Sequence, residues 1–549
     1  MFEVKINNKI YKYEDKQYLK DLAMSFKPNA VVAKVNNRLR ELNYYINYSC
    51  EVELLDLTNF DAVRVYQTSI RYLVIMALEK INPNIRVRFD QCISRSLSCN
   101  ILNDDIRVNR RFLEKLDCEM RNIIKENLPI ERYTISKEEA MKIYTDKGYL
   151  DKVEVLKYRP ENTVNMYKCG DYINYMFGYM VPSTGFLNGF KLLSYSPGFL
   201  IQVPRAECGG KIPPFEEAPV FQEMILNARK WSSICKCEDI ATLNAHIEND
   251  NGLSLVNMCE TRHNNMLAEI SSIIDSRRDM IRLVCIAGPS CSGKTTFSNR
   301  LTIALLAKGL KPLKISMDDY YRNRVDCPKD ENGDYDLEHL DALDLDLFNE
   351  NLLDLIEGEE IDSPTFNFKT GCRESGPKMK VDKDTIIIIE GIHALNEEVT
   401  KLIPKPQKFK IFISPFSQIN IDDHNPIPAS ELRLLRRSVR DARTRNTNPA
   451  ETFDMWASVR RGEFRWIYPC QEEADYVFNT ELTYELGVMK KYAVETLSKI
   501  DKDDEYFIQA NRLLKFLKYV KEIDERYVPC NSLLREFIGG SCFYNFENK

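Results

Sequence analysis

The chain has 549 residues, enough by the usual size of domains for three or four units. Its 44% hydrophobic and 29% charged residues are the proportions of a folded globular protein and argue against a disordered or membrane-embedded one. A formal charge of −6 gives the whole molecule no general attraction for nucleic acid or anionic lipid, so anion binding has to be local.

The opening MFEVKINNKIYKYE alternates apolar and charged residues, unlike a signal peptide. No apolar run approaches the roughly 18 residues of a membrane span, so the expected location is cytoplasmic with no membrane partner. A helical stretch at Tyr18–Ser25 and strand-like runs at Ala30–Val35 and Glu51–Leu55 complete a small α+β module. From Ala62 to Pro204 a helix at Val63–Lys80 precedes strand-like segments that end at Phe199–Val203, a second α+β domain. The Gly, Pro and acid of GGKIPPFEEAP, residues 209–219, predict a linker, and a helical connector runs to Arg278. Few long-range contacts are expected to cross that linker, so a fragment starting near Asp275 is expected to fold alone.

Beyond the connector, apolar runs at Leu283–Ala287, Leu313–Ser316, Thr385–Ile389, Phe409–Ile413 and Tyr476–Phe478 alternate with helical stretches. Near-continuous apolar strands of this kind predict a buried parallel sheet with helices on both faces. Residues Tyr484–Phe537 read as helices laid on that body. The 16 Cys are scattered, and the Cys235/Cys237 pair has no second pair at zinc-ribbon spacing. With five His in the chain, the only metal expected is one that arrives with nucleotide.

The strand at Leu283–Ala287 leads into Gly288, Pro289, Ser290, Cys291, Ser292, Gly293, Lys294, Thr295 and Thr296, which contain G-x-x-x-x-G-K-T. Glycines at these places let successive backbone N–H groups turn into one cavity around a β-phosphate, beside the positive end of the next helix. Lys294 then reaches the β- and γ-phosphates of ATP and the Thr295 hydroxyl ligates Mg²⁺. Two further strands end in acid: Thr385–Ile389 in Glu390, and Leu313–Ser316 in Met317, Asp318 and Asp319. Ligands of doubly wound sheets sit at those strand ends, so Glu390 is a second metal group and Asp318 a proton acceptor for an attacking hydroxyl. Asp319 points the other way and is expected to be solvated.

Between Lys410 and Lys490 there are nine Arg and no Lys, and six of the nine lie within 433–445. Guanidinium grips phosphate oxygens with two prongs where ammonium cannot. On a helix Arg433, Arg437 and Arg440 share a face, which predicts a lid of arginines over ATP; a solvated basic helix or a nucleic-acid contact are the alternatives.

These motifs, with ISMDDYYRN at 315–323, HLDALD at 339–344 and SPTFNF at 363–368, make residues of about 281–480 resemble the uridine kinase and phosphoribulokinase family of P-loop kinases. The resemblance implies phosphorylation of a nucleoside 5′-hydroxyl by ATP with Mg²⁺, in nucleoside salvage. It makes Asp318 the base, Thr295 and Glu390 the metal groups, Arg437 and Arg440 phosphate ligands alongside Lys294, and Asp344 the acid on the ribose hydroxyls. Tyr321, Phe366 and Arg445 fall on the acceptor side. The base pocket departs from the family: Phe366 and Gly371 stand where it has Tyr and His, and Thr447 where it has Arg, so the nucleobase stays open. A sugar-phosphate kinase and an RNA-associated nucleotide-binding regulator are the other readings.

The first 205 or so residues resemble the start of threonyl-tRNA synthetase. The resemblance implies a ubiquitin-like TGS module at 1–61, an editing-type domain at 62–205, a linker and connector at 206–278 and the kinase at 279–549. In the editing-type site Tyr66 and Ile70 replace its H-x-x-x-H pair and Met176 and Met180 its C-x-x-x-H pair, which implies a module without that hydrolysis. Self-association and an RNA contact of this half are left open.

Overall fold

The protein, here a computed structural model, is described over residues 1–330, 333–367, 370–445 and 447–543. Phe368 of SPTFNF lies outside the described residues. The chain folds as a multidomain α+β and α/β protein. At its start Phe2, Val4 and Ile6 are buried and alternate with exposed Glu3 and Lys5, the period of a strand with one face inward. That strand sits in a five-stranded sheet, antiparallel to Lys9–Tyr13 and parallel to Cys50–Leu55. Helix Leu19–Phe26 closes the inner face with Leu19, Leu22 and Ala23.

The second region is built around helix α1 (Phe60–Ile81), started by the Asn59 side chain, which accepts from the Asp61 and Ala62 N–H groups. Its buried run extends from Ala62 to Leu78 because a four-stranded and a three-stranded sheet of the same region pack around it. Tyr66, Ile70, Met176 and Met180 all belong to the apolar cluster that results, and the Tyr66 hydroxyl donates to the Gly189 carbonyl at 3.1 Å.

Three helices follow, α2 (Pro219–Cys235), α3 (Ile240–Asp250) and α4 (Leu253–Ser276). The C-terminal sheet contains β1 (Leu283–Ala287), β2 (Lys311–Ser316), β3 (Thr385–Glu390), β4 (Lys408–Ser414) and β5 (Tyr476–Asn479), all parallel, in the order β2-β3-β1-β4-β5. Helices α5 (Lys294–Leu306), α6 (Leu345–Glu357), α7 (Ala429–Thr444) and α8 (Phe507–Leu517) belong to the layers around it.

The structure corrects the expectation that few long-range contacts cross the linker and connector. Leu267, Ile270 and Ile274 of α4 share one apolar cluster with Val284, Ile286 and Phe297, and Met224, Ile225 and Ala228 of α2 share another with Leu283, Cys285 and Ile387. The connector is therefore a cover of the sheet. Its amphipathic period is readable in sequence, but which apolar face it meets is not.

Polar groups tie the two halves together as well. Arg88 donates to Asp423 Oδ1 at 3.0 Å and to the Glu238 and Gln418 carbonyls at 2.8 and 2.9 Å. Lys152 Nζ lies 2.9 Å from Asp422 Oδ1, and both side chains are fully buried. Two charges removed from water hold only if geometry is good, and losing one partner leaves the other stranded.

Candidate active site

The carboxyl ends of β1, β2 and β3 converge on one cleft, as the parallel topology requires. After β1 the chain turns tightly: Cys291 has φ 60° and Gly293 φ 90°, left-handed values that suit glycine at the second position. Gly288 is needed for a different reason, since a side chain there would run into the Ile413 carbonyl of β4. The loop ends as the N-terminus of α5, whose first-turn N–H groups have no intrahelical carbonyl to bond. Lys294 lies across the loop, donating to the Gly288 and Pro289 carbonyls at 2.9 and 3.3 Å.

Thr295 and Glu390 meet, with the hydroxyl donating to the carboxylate at 3.1 Å. Burial pushes the Glu390 carboxyl up to about 7, opposed by Lys314 and Lys294. A hydroxyl and a carboxylate are hard oxygen donors of the kind Mg²⁺ prefers, so Thr295 and Glu390 would hold it when it arrives with nucleotide. Asp318 stands at the cleft mouth beside Lys294 and Arg445. Although its tip is solvent-exposed, the surrounding walls desolvate it enough to raise its carboxyl, with both cations pulling it back. Asp319, expected to be solvated, instead accepts from the Phe366 N–H at 3.3 Å and fixes the ribbon Ile361–Asn367/Cys372–Met379.

The arginine helix α7 divides into two sets. Arg433 makes a two-pronged pair with Glu463 at 2.6 and 2.8 Å, and Arg436 bonds Glu485 and the Thr480 and Cys291 carbonyls; both are buried among these partners. They hold the helix to the body, which corrects the picture of a lid. Arg437 donates to Ser290 Oγ of the phosphate loop at 3.1 Å. Asp441 gathers Arg437, Arg440 and Arg445 at 3.3, 2.7 and 3.7 Å, so one carboxylate aims three guanidiniums toward the loop. Hydropathy could not single out Asp441 from the charged residues around it.

On the acceptor side the Tyr321 and Phe366 rings lie 5.6 Å apart, and the Tyr321 hydroxyl donates to the Leu337 carbonyl. Asp344, read from sequence as the ribose acid, is occupied elsewhere: it caps α6 at Leu347 N and pairs with Arg373 at 2.7 Å and Arg322 at 3.9 Å. Among the described residues Glu338, missed in the sequence because it follows no strand, is an acid with no ion pair on this side. Burial pushes it up to about 7, further raised by Glu463 and lowered by Arg437 and Lys294, and its Oε2 is buried with no hydrogen-bond partner.

A C-terminal segment also reaches the loop. Leu533 lies over Gly293, and the Glu536 carboxylate accepts from Thr296 N at 3.3 Å and Thr296 Oγ1 at 2.8 Å.

Comparison with known proteins agrees with this geometry. Residues 283–485 match the model of the Phosphoribulokinase / Uridine kinase family. The C-terminal half carries a kinase domain of that family. The N-terminal region is similar to threonine–tRNA ligases, 30% identical over 179 residues to that of Clostridium kluyveri and 33% over 172 residues to that of Thermotoga maritima. These matches cover 32% and 31% of this chain but only 28% and 27% of the ligases, so the chain spans less than a third of those proteins. Among solved structures, a possible uridine kinase from Bacillus stearothermophilus aligns with 38% of this chain and 99% of its own, at 17% identity and a TM-score of 0.25. Among the described residues, no helix of the protein is long and apolar enough to cross a membrane.

Proposed function

We propose that the kinase domain transfers the γ-phosphoryl of ATP to the 5′-hydroxyl of a nucleoside, giving the monophosphate. The observation that carries this reading is the meeting, at one sheet edge, of a phosphate loop, the Thr295–Glu390 pair and the Asp318 carboxylate. Lys294, freed from the loop carbonyls, and the Arg437/Arg440 pair hold phosphate oxygens, fixing the transferring group in line. Asp318 accepts the proton of the attacking hydroxyl; its carboxyl, raised by desolvation, is a better base than that of a solvated aspartate. Glu338 accepts from acceptor hydroxyls. Mg²⁺, held by Thr295 and Glu390, supplies charge neutralisation at the phosphates.

Arg322 and Arg373, on the same wall as Tyr321, are both engaged with Asp344, which favours an uncharged acceptor over a sugar phosphate. Purified full-length protein given ATP should release ADP when a ribonucleoside is added. ADP release that needs no acceptor, or that answers only to sugar phosphates, sinks the proposal.

The metal requirement should depend on pH. Glu390 is raised to about 7, so below that pH a proton competes with the cation for its carboxylate. The Mg²⁺ concentration giving half-maximal rate should be flat above pH about 8 and rise toward tenfold per pH unit below about 6. Metal titrations at fixed ATP across this range check it, and a flat requirement would remove Glu390 from the metal site.

A further inference from the structure

A cavity of about 670 Å³ lies where three parts of the chain meet: the N-terminal module at Arg38–Arg40, α1 with the stretch Tyr175–Tyr179, and α8 with Pro426–Pro428 and Glu431 of the C-terminal half. That volume is within the range of small-molecule sites. Ten Arg or Lys and three acidic residues line it, in a chain whose overall charge is −6. All three acids are already committed. Asp61 pairs with Arg512 at 3.0 Å, Glu431 with Arg64 and Arg512 at 2.6 and 3.1 Å, and Glu161 with Lys518 at 2.9 Å.

Of the other cations, Arg132 and Arg159 pair with Glu41 and Glu161 at 4.0 and 3.7 Å, and five have no such compensation. Among the described residues, Arg38, Arg40, Arg71, Lys502 and Lys515 form no ion pair. Arg71 is the most telling, being 9% exposed, with Nε lacking any hydrogen-bond partner and Nη2 meeting only the Thr68 hydroxyl at 3.2 Å. Burial pulls its guanidinium down to about 10. Lys515 is also pulled down, by burial first and then by its neighbours Arg132, Lys518 and Arg40. Removing cations from water beside one another is unfavourable, and an anion among them would reverse that. A guanidinium in that position presents the forked donors that suit phosphate. Phe177, Tyr179 and Phe507 supply aromatic and apolar wall beside the cations, the complement of a planar base.

We propose that this junction cavity is a binding site for a phosphorylated small molecule of the nucleotide class, separate from the phosphate loop. Neither region of the chain forms it alone, since α1 and α8 both contribute to its lining. Helix α7 connects it physically with the kinase cleft: Glu431 sits in the cavity wall, and Arg437, less than two turns on, bonds Ser290 of the phosphate loop. A ligand that takes Arg64 or Arg512 from Glu431 therefore acts on the helix that aims the phosphate-binding arginines.

The test uses full-length protein carrying Lys294→Ala, to weaken nucleotide binding at the phosphate loop. It is titrated calorimetrically with AMP, GMP, CMP, UMP, ATP and inorganic pyrophosphate, and the bound state is mapped by hydrogen exchange. At least one nucleotide should bind and protect residues 64–71 and 507–519. Adding Arg71→Met should weaken it by about tenfold or more. Lys515→Glu, which reverses a charge of the same lining, should do the same and repel at low salt. Absence of binding, protection confined to 288–296, or affinity unchanged in both variants would overturn the proposal. So would binding of a single-stranded RNA oligonucleotide with no binding of any mononucleotide.

Discussion

Replacing Asp318 with Asn should lower turnover by about 10²–10⁴ while leaving the KM for ATP within a few-fold of its starting value. In free energy that loss is about 3–5 kcal/mol of transition-state stabilisation. The asymmetry follows from position. Asp318 lies at the end of β2, where an attacking hydroxyl has to approach, whereas the contacts proposed for ATP come from residues 288–296, Arg437 and Arg440. Asn keeps the size of the side chain and its hydrogen-bonding reach but has no usable basicity at neutral pH. Glu338→Gln is the matched control: a group that only orients the acceptor should raise the acceptor KM more than it lowers kcat. Initial-rate kinetics varying ATP and nucleoside independently separate the two. If Asp318→Asn instead costs ATP affinity and spares turnover, the carboxylate belongs to the nucleotide side and proton acceptance lies elsewhere.

The second large effect concerns where the chain can be cut. A fragment beginning at Asp275 should fail to fold as a stable, active kinase, and one beginning near Pro219 should still be destabilised. Starting at Asp275 strips Leu267, Ile270 and Ile274 from the layer over Val284, Ile286 and Phe297. It also strips Met224, Ile225 and Ala228 from the other face of the same sheet. Each large aliphatic side chain of this kind contributes about 1.5–3 kcal/mol by burial. Four or five of them together match the whole net stability of a domain, about 5–15 kcal/mol. Restoring α2 to α4 returns that cover but leaves Asp422 and Asp423 without Lys152 and Arg88. Stranding one member of a buried pair costs about 3–5 kcal/mol. Thermal melts of the two fragments and of full-length Lys152→Met would check the order. A cooperative melt of the Asp275 fragment close to that of the whole protein would show that the connector is only a tether.

Much of the candidate site was open to reading before any coordinates. The spacing of Gly288, Gly293, Lys294 and Thr295 after an apolar strand carries its own chemistry, because a phosphate cradle is a local backbone shape set by neighbouring residues. Glu390 and Asp318 were legible for a related reason: in a parallel sheet the residue after an apolar run is placed at the ligand edge by topology alone. Asp344, Glu338 and Asp441 were not. Each is one acid among several in a polar stretch, and its role depends on which cations the fold brings near: Arg373 and Arg322 to Asp344, Arg437, Arg440 and Arg445 to Asp441.

The arginines of α7 show the same division within a single helix. Residue type and spacing mark 433–445 as phosphate-binding in character. Only the arrival of Glu463 and Glu485 from later in the chain assigns Arg433 and Arg436 to holding the body together, leaving Arg437 and Arg440 for the loop.

By itself, then, the sequence determined what short-range geometry can encode: a phosphate loop between a strand and a helix, acids at strand ends, and two α+β regions ahead of a parallel sheet. The tertiary structure alone decided whether 209–278 is a tether or a covering layer, which acids the cations engage, and that Arg71, Lys515 and their neighbours line one cavity. The physical reason is that apolar contact and charge attraction are non-directional and depend on distance in space, not on separation along the chain. The partners here lie tens to hundreds of residues away, as with Arg88 and Asp423, and no local pattern in the chain specifies such a meeting.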